Sequence, residues 1–493
     1  MRKYSKTYGV QLAGIRPQLI TIETDITNGL HSFSIIGLGD KAINEARDRV
    51  SSAIKNSGFV SPKQKNQKVV VSLSPAHMKK EGSMFDLGIA ISYLAASGNI
   101  LFDPERKILI GELSLEGYVL PVHGISAILH SLFELGFDEA YIPKKNLPDI
   151  SIPDTIRVYA VSNLKEMLGH IDGSAKLSPV EYDADEAAVI ERHGQNGESW
   201  IDLAAVKGHE HAKRALMIAA IGRHNLLMCG PPGTGKTMLA KALVGILPNL
   251  SRDASVEVAS IYSVAKILRE REDFLRPPMR SPHHTTSYAA ITGGGSPIRP
   301  GEMTLAHHGI LFMDELPEFD RRSIEALRQS MEEKELSISR LKESVTYPAD
   351  FMFVGAMNPC PCGYGDSRCA CSEPERKKYQ SKISGAIMDR IDMFLPIERV
   401  SAHIMQKKSD AAASTRQIGK QIERIKEFKQ RRQAGMLSDG ASRLMQETAE
   451  QHKLSNRSYM KTLSVAQSIA DLSMSEVITK EHLLEALQYK RIF

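Results

Sequence analysis

The sequence predicts an α/β protein built around a parallel sheet, with an α+β region before it and a helical region after it. Three observations predict this. Short apolar runs end in polar residues at NLLMCG (225–230), ILFMDE (310–315) and FMFVGAMN (351–358). Unbroken runs of this kind suit parallel strands buried on both faces. The first run leads into GPPGTGKT (230–237), a glycine-rich turn followed by TMLAKALVGIL, a good helix. From residue 401 the chain reads helical throughout, with Ile418, Ile422, Ile425 and Phe428 or Lys429 on one face.

Length and composition set the bounds. At roughly 150 residues per domain, 493 residues suggest about three domains, each able to bury its own core. Hydrophobic residues make up 42% and charged ones 25%, ordinary for a soluble globular protein. A net charge of +5 permits an anionic partner without demanding one. The opening MRKYSKTYGVQLAG lacks an apolar core, so it does not read as a secretory signal. No stretch approaches 18 uninterrupted apolar residues, so no membrane span is expected. Five cysteines in this length do not suggest a disulfide scaffold. The expected location is cytoplasmic.

The elements fall into blocks. In residues 1–170, KVVVSLSP (68–75) is a strand rich in β-branched residues, and KILIGELSLEGYVLPV (107–122) breaks at Glu116–Gly117 like a hairpin. FDLGIAISYLAA (85–96) reads as a buried helix. Residues 171–199 are polar and acidic with few large apolar side chains, which suits a linker. The sheet occupies 200–400, and the helical region 401–493.

The turn at 230–237 carries chemistry. In Gly230-Pro231-Pro232-Gly233-Thr234-Gly235-Lys236-Thr237 the glycines let backbone N–H groups close around phosphates. The Lys236 ammonium meets the β/γ charge of a nucleoside triphosphate, and the Thr237 hydroxyl can ligate Mg²⁺. A helix N-terminus behind the loop adds a dipole that favours anions. In GILFMDELPEF (309–319) Asp314 leaves the strand where it would hold Mg²⁺ through water, and Glu315 where it would polarise the attacking water. Asn358 closes the next strand, placed to orient water against the γ-phosphate or simply to turn the chain before Pro359. Arg390 and Arg457 sit in otherwise helical or apolar settings; one could be an arginine finger, or each a surface ion pair.

Residues 200–400 resemble the AAA+ ATPases of the magnesium-chelatase-like branch. The likeness rests on GPPGTGKT, RSPHHTTSYAAITGGGSPIRPGEMTLAHHGILFMDELPEF, YPADFMFVGAMNPCPCG and KISGAIMDRID, in that order. The whole chain resembles the YifB/ComM family of bacterial competence helicases. The resemblance implies an AAA+ P-loop sheet with a C-terminal helical lid. It implies Asn358 as sensor 1, Arg390 as a finger acting on a neighbouring subunit and Arg457 as the sensor 2 arginine of the lid. A finger in trans implies a homo-oligomeric ring, usually hexameric. The insert around SPHHTTSYAAITGGGS and a hairpin over 335–350 would face the central pore. Asp350 departs from the basic residue expected at that strand end.

Residues 1–170 are similar to the proteolytic domain of Lon, an S5-like α+β fold. A serine nucleophile needs a base to take its proton. Met84 falls where that serine belongs and Ser126 where the lysine belongs. Ser83 lies one position off, with Lys79 and Lys80 nearby, and a one-residue slip turns a side chain away from its partner. The expectation is a retired protease fold used for assembly or DNA handling.

Cys360, Cys362, Cys369 and Cys371 cluster in NPCPCGYGDSRCACSEPE and could close a tetrahedral Zn²⁺ site. Their spacing differs from the commoner paired C-x₂₋₄-C, and a merely cysteine-rich loop is the alternative. His283, His284, His307 and His308 read as insert or structural residues rather than ligands. RQIGKQIERIKEFKQRR (416–432) holds seven basic and two acidic residues, and ERKKYQSK (375–382) adds a second basic stretch. Basic elements around a ring would attract single-stranded or branched DNA without reading its sequence. The resemblance adds translocation and branch migration in natural transformation and homologous recombination. A chelatase-type motor acting on a protein partner, and an ATP-dependent protease, are the competing functions.

Overall fold

The computed structural model describes residues 3–490 apart from 38–40, 65, 77–79, 81, 151, 181–200, 268–273, 296–297, 341–342, 366–367, 402, 404–413 and 432–434. The chain divides into two units: Met1–Arg192 with Arg252–Phe274, and His193–Ser251 with Leu275–Phe493. The linker expected over 171–199 lies mostly outside the described residues.

The first unit opens on a long hairpin. β1 (Tyr4–Ala13) pairs antiparallel with β2 (Arg16–Asn28) from Tyr4↔Asp25 to Ala13↔Arg16. Gly14 turns the corner at φ 64°. β3 (Ser32–Ile36) and β4 (Gln67–Ser74) complete a mixed sheet in the order β1-β2-β4-β3. Alternate residues of β4, Val69, Val71 and Leu73, enter the core, as a strand with one buried face requires. The expected helix forms over Asp86–Ala96 and is buried nearly all round. β5 (Lys107–Leu109) joins two later strands in a small parallel sheet. The expected break at Glu116–Gly117 separates β6 (Glu112–Leu113) from β7 (Val119–Leu120), which pair antiparallel. β8 (Glu139–Pro143) lies between β5 and β9 (Arg157–Val161).

Residues 252–274 fold with this first unit, although the sequence places them inside the 200–400 block. Helix Arg252–Val264 packs on helix Ile125–Ser131, and the Gly124 N–H donates to Ser263 Oγ at 2.9 Å. In the second unit, the Leu250 N–H donates to Leu275 O at 2.8 Å, closing the neck from which this segment leaves. Contiguous sequence cannot reveal such an insertion, because its ends meet only in space.

The second unit holds a five-stranded parallel sheet: β10 (Leu226–Cys229), β11 (Met279–Arg280), β14 (Ile310–Met313), β17 (Met352–Met357) and β18 (Met393–Pro396). Two short pairs, β12 (Gly293–Gly294) with β13 (Arg299–Pro300) and β15 (Glu335–Arg340) with β16 (Glu343–Pro348), fall between these strands in the chain. The spatial order is β11-β14-β17-β10-β18. Two cores explain the unbroken apolar runs. Leu226, Met228, Ile310, Phe312, Met352 and Val354 enter one, while Leu227, Leu311, Met313 and Phe353 enter the other. Alternate residues point to opposite faces, so a strand covered on both sides needs no polar position.

Helices Thr415–Arg431, Asp439–Gln451, Asn456–Leu472 and Lys480–Gln488 form the C-terminal part. Ile418, Ile422 and Ile425 are buried in the first core, as their spacing predicts. The face ends on Lys429, whose Nζ donates to Ile221 O at 3.0 Å. Among the described residues, no helix is long and apolar enough to cross a membrane.

Candidate nucleotide site

The spatial order of the sheet places β14, β17 and β10 side by side, so residues just beyond their carboxyl ends converge. That rim is where parallel α/β sheets bind ligands. β10 delivers the glycine-rich turn, β14 delivers Asp314 and Glu315, and β17 delivers Asn358.

Gly230 is required by close approach. A β-carbon there would lie 2.2 Å from Ile397 O, on the chain leaving β18. The Gly230 N–H donates to Met357 O at 3.2 Å, which anchors the turn to β17. Gly233 and Gly235 take φ of 76° and 87°, a left-handed region costly to other residues. Helix Lys236–Ile246 then starts without a side-chain cap, leaving its first N–H groups for a ligand. Thr234 Oγ1 donates to Pro231 O at 2.8 Å and braces the turn.

Lys236 is 8% exposed. Its Nζ donates to Gly230 O at 2.6 Å, Pro231 O at 3.0 Å and Asn358 Oδ1 at 3.2 Å. Burial pushes this ammonium below the ordinary lysine range, and the Asp314 carboxylate pulls it partly back. A partly desolvated cation held by weak acceptors is ready to exchange them for phosphate oxygens.

Thr237 Oγ1 donates to Asp314 Oδ2 at 2.8 Å, and Asp314 Oδ1 accepts from the Glu315 N–H at 2.9 Å. A hydroxyl and a carboxylate this close offer the hard oxygen donors that Mg²⁺ takes, and Mg²⁺ keeps its remaining positions for water and phosphate. Glu315 adopts φ 52°, unusual for a residue with a side chain, and its carboxylate is half exposed. Its Oε2 stands 3.4 Å from His284 Nδ1. The sequence treats His284 only as part of an insert, and no local signal marks this contact. Asn225, at the foot of β10, was also missed. Its Oδ1 accepts from Phe353 N–H at 2.9 Å and its Nδ2 donates to Arg390 O at 3.2 Å, locking β17 and the 390 segment in register.

Arg390 and Arg457 meet on Glu332, each donating to one of its carboxylate oxygens. The two guanidiniums hold that carboxyl below its usual range. Arg390 also donates to Ala386 O at 2.5 Å, and its side chain is 9% exposed.

The four cysteines converge. Cys360 Sγ lies 3.3 Å from Cys362 Sγ and 3.4 Å from Cys369 Sγ, Cys362 Sγ lies 3.4 Å from Cys369 Sγ, and the Cys362 N–H donates to Cys371 Sγ at 3.4 Å. All four are free thiols, and their sulfurs lie within 4.8 Å of one another. These donors could hold a zinc ion. The loop touches the nucleotide site: a β-carbon on Gly363 would lie 3.0 Å from Pro232 Cδ and 3.9 Å from Asn358 Nδ2.

In the first unit, the residues nearest the positions of a serine–lysine dyad go separate ways, as a fold lacking that dyad would have them. Ser83 donates to the Glu112 carboxylate, and Lys80 Nζ donates to Pro75 O. Ser126 is buried and its hydroxyl has no hydrogen-bond partner. Lys79 lies outside the described residues.

Three family models match: magnesium chelatase, subunit ChlI, over residues 202–405; subunit ChlI of Mg-chelatase over 22–146; and the subunit ChlI C-terminal model over 398–490. The chain is 35% identical over 494 residues to the competence protein ComM of Haemophilus influenzae, covering 97% of this chain and 95% of that one. It is 36% identical over 496 residues to the protein YifB of Escherichia coli, with the same coverage of 97% and 95%. It is 25% identical over 174 residues to the magnesium-chelatase 38 kDa subunit of Cereibacter sphaeroides, covering 32% of this chain and 52% of that subunit.

Proposed function

The chain belongs to the YifB/ComM family of magnesium-chelatase-like AAA+ ATPases, and from that premise we propose that it is an ATP-driven ring motor that moves along DNA. The observation that carries the reading is the convergence of Lys236, Thr237, Asp314, Glu315 and Asn358 beyond three adjacent strands.

The chain's own groups divide the work. Loop N–H groups and Lys236 bind the β- and γ-phosphates. Thr237 and Asp314 would hold the Mg²⁺ that accompanies the nucleotide and neutralises developing charge. Glu315 accepts a proton from water as its oxygen bonds to the γ-phosphorus and the bond to the ADP oxygen breaks. Asn358, tied to Lys236, orients that water or the γ-phosphate. Arg390 of a neighbouring subunit would complete the site as a finger, and Arg457 would report nucleotide state to the lid. That division of labour requires a ring, expected to be a hexamer.

Three features support DNA as the track. Arg416, Lys420, Arg424, Lys426 and Arg431 lie exposed on helix Thr415–Arg431, opposite its buried isoleucines. The hairpin β15–β16 forms where a pore element is expected. The Haemophilus relative is named a competence protein, which suits a role in natural transformation and recombination. The first unit, read as a Lon-like S5 fold whose nearest serine and lysine are engaged elsewhere, would serve assembly or DNA handling. A second reading, a chelatase-type motor remodelling a protein partner, draws on the three ChlI matches.

Hydrolysis measured with and without single-stranded and branched DNA, at low and raised salt, separates the two readings. A DNA motor assembles with ATP and hydrolyses faster on DNA, and the stimulation fades steeply with salt. Hydrolysis indifferent to DNA favours the protein-remodelling reading. A molecule that stays monomeric with ATP and DNA, without added turnover, ends the motor proposal.

A further inference from the structure

Cys360 lies two residues past Asn358, the residue that accepts from Lys236. Cys371 immediately precedes Ser372, which caps helix Glu373–Gln380 through a capping box with Glu375. Cys360 is fully buried, and the other three are partly covered. The loop therefore brings four thiols from two turns into one knot, with one end at the nucleotide site and the other at a helix start.

The sulfur spacing selects among the states open to four thiols. A disulfide needs sulfurs at about 2.05 Å, and the contacts here are 3.3–3.4 Å. A tetrahedral ion with metal–sulfur bonds of about 2.3 Å sets sulfurs roughly 3.8 Å apart. Three separations of 3.3–3.4 Å fall a little short of that edge, and all six lie inside 4.8 Å, close enough for one ion to reach every sulfur. An iron–sulfur cluster binds its thiolates through different irons and spreads them further than one ion does. Four sulfurs in a tetrahedral set are the donors that zinc prefers, whereas Mg²⁺ and Ca²⁺ want oxygen.

The knot is also fastened to the nucleotide loop. Gly363 lies against Pro232, and Gln380 Nε2 donates to Pro359 O at 3.3 Å. Gly363 and Gly365 adopt φ of 87° and 68°, which lets the chain fold back over Pro359. Among the described residues the thiol contacts are joined by the Arg368 guanidinium, 4.9 Å from the centre of the Tyr364 ring.

We propose that Cys360, Cys362, Cys369 and Cys371 bind one zinc ion as a tetrathiolate, and that this ion holds Asn358 in register with Lys236. The ion is structural: four protein ligands leave no open position for catalysis. The first half stands on the sulfur geometry alone. The second half rests on the ATPase reading, since it is through Asn358 that the ion reaches the nucleotide.

The test is metal analysis of the full-length protein purified without chelator, together with a titration by a mercurial thiol reagent in the presence of a zinc-sensitive dye. The expected result is about one zinc per chain, released as the thiols are titrated. Replacement by Co²⁺ should give the intense visible bands of a tetrahedral thiolate site. In the Cys362→Ser/Cys369→Ser variant zinc should vanish. ATP turnover should then fall by about 10²-fold, the loss expected when a catalytic group shifts by about 1 Å, while ATP binding through Lys236 persists. Absence of stoichiometric metal, zinc that survives the double substitution, or iron with inorganic sulfide in its place overturns the site. Zinc present but hydrolysis unchanged in a metal-free, folded variant overturns the coupling. The wild-type metal count and the mercurial titration need no turnover and no variant. Zinc in a protein that does not hydrolyse ATP would therefore fault the ATPase reading and leave the site standing.

Discussion

Substituting alanine at two glycines of the glycine-rich turn should give unequal outcomes from one chemical change. At Gly230 a β-carbon would stand 2.2 Å from Ile397 O, and β-carbons essentially never come within 3.0 Å of another atom. The β10–β18 edge must widen there by at least about 0.8 Å, which breaks the 2.8 Å bond from Ile397 N–H to Cys229 O. Losing that bond costs about 1 kcal/mol, and overpacking a closed site adds roughly 1–3 kcal/mol. A total of about 2–4 kcal/mol lowers the melting temperature of a unit this size by roughly 5–15 °C. The larger effect is on chemistry. A phosphate loop displaced by about 1 Å should lose about 10²-fold in turnover. At Gly233 a β-carbon meets nothing within 4 Å, and only the φ of 76° is strained. That costs about 1–2 kcal/mol, so Gly233→Ala should melt only a few degrees lower. Steady-state hydrolysis and thermal melting of both variants decide the matter. Gly230→Ala within twofold of wild type and unshifted in melting would refute the close-approach account.

Glu315→Gln should bind ATP as tightly as wild type yet hydrolyse it about 10²–10⁴-fold more slowly, since the amide cannot take a proton; near-normal turnover would remove its assigned role. Arg390→Ala should assemble but lose about 10³-fold or more in turnover. Mixing it with Lys236→Ala should restore activity if the finger works in trans, because the mixture pairs an intact loop with an intact arginine. His224 supplies a pH prediction. It is buried beside Ser468, with Nε2 2.8 Å from Ser468 Oγ, and burial pushes it down to about 4 from 6.5. The unfolded chain binds a proton below pH 6.5 that the folded unit refuses until about pH 4. Stability is therefore full above pH 6.5 and should fall by on the order of 3 kcal/mol as pH drops through that window. Denaturant unfolding of wild type and His224→Gln between pH 8 and 4 should show a steeper loss in wild type. Equal slopes would exclude this histidine as the cause.

Much of the candidate nucleotide site was legible because it is local. The glycines, Lys236 and Thr237 lie in one turn, and an apolar strand ending in Asp314–Glu315 needs only its own sequence to be read. The strand, hairpin and helix at 67–74, 112–120 and 86–96 announced themselves by period and turn residues. The long hairpin β1–β2 did not. Its alternation is interrupted by inward-facing Thr7 and Thr24, which are buried and hydrogen-bonded to Gly88 O and Ser92 respectively.

The sequence by itself determined a glycine-rich turn leading into a helix, an acidic pair at a strand end and four thiols within twelve residues of one another, since each is a pattern of neighbours in the chain. The tertiary structure decided which of these meet. Strand order set β17 between β14 and β10, which brings Asn358 to Lys236 across 122 positions and lets Asp314 reach Thr237 across 77. The same folding set His284 against Glu315, joined Arg390 and Arg457 on Glu332, and drew residues 252–274 into the first unit. Local chemistry follows from spacing along the chain. Partnership across a sheet follows from the order of its strands, which packing settles and no short window of residues encodes.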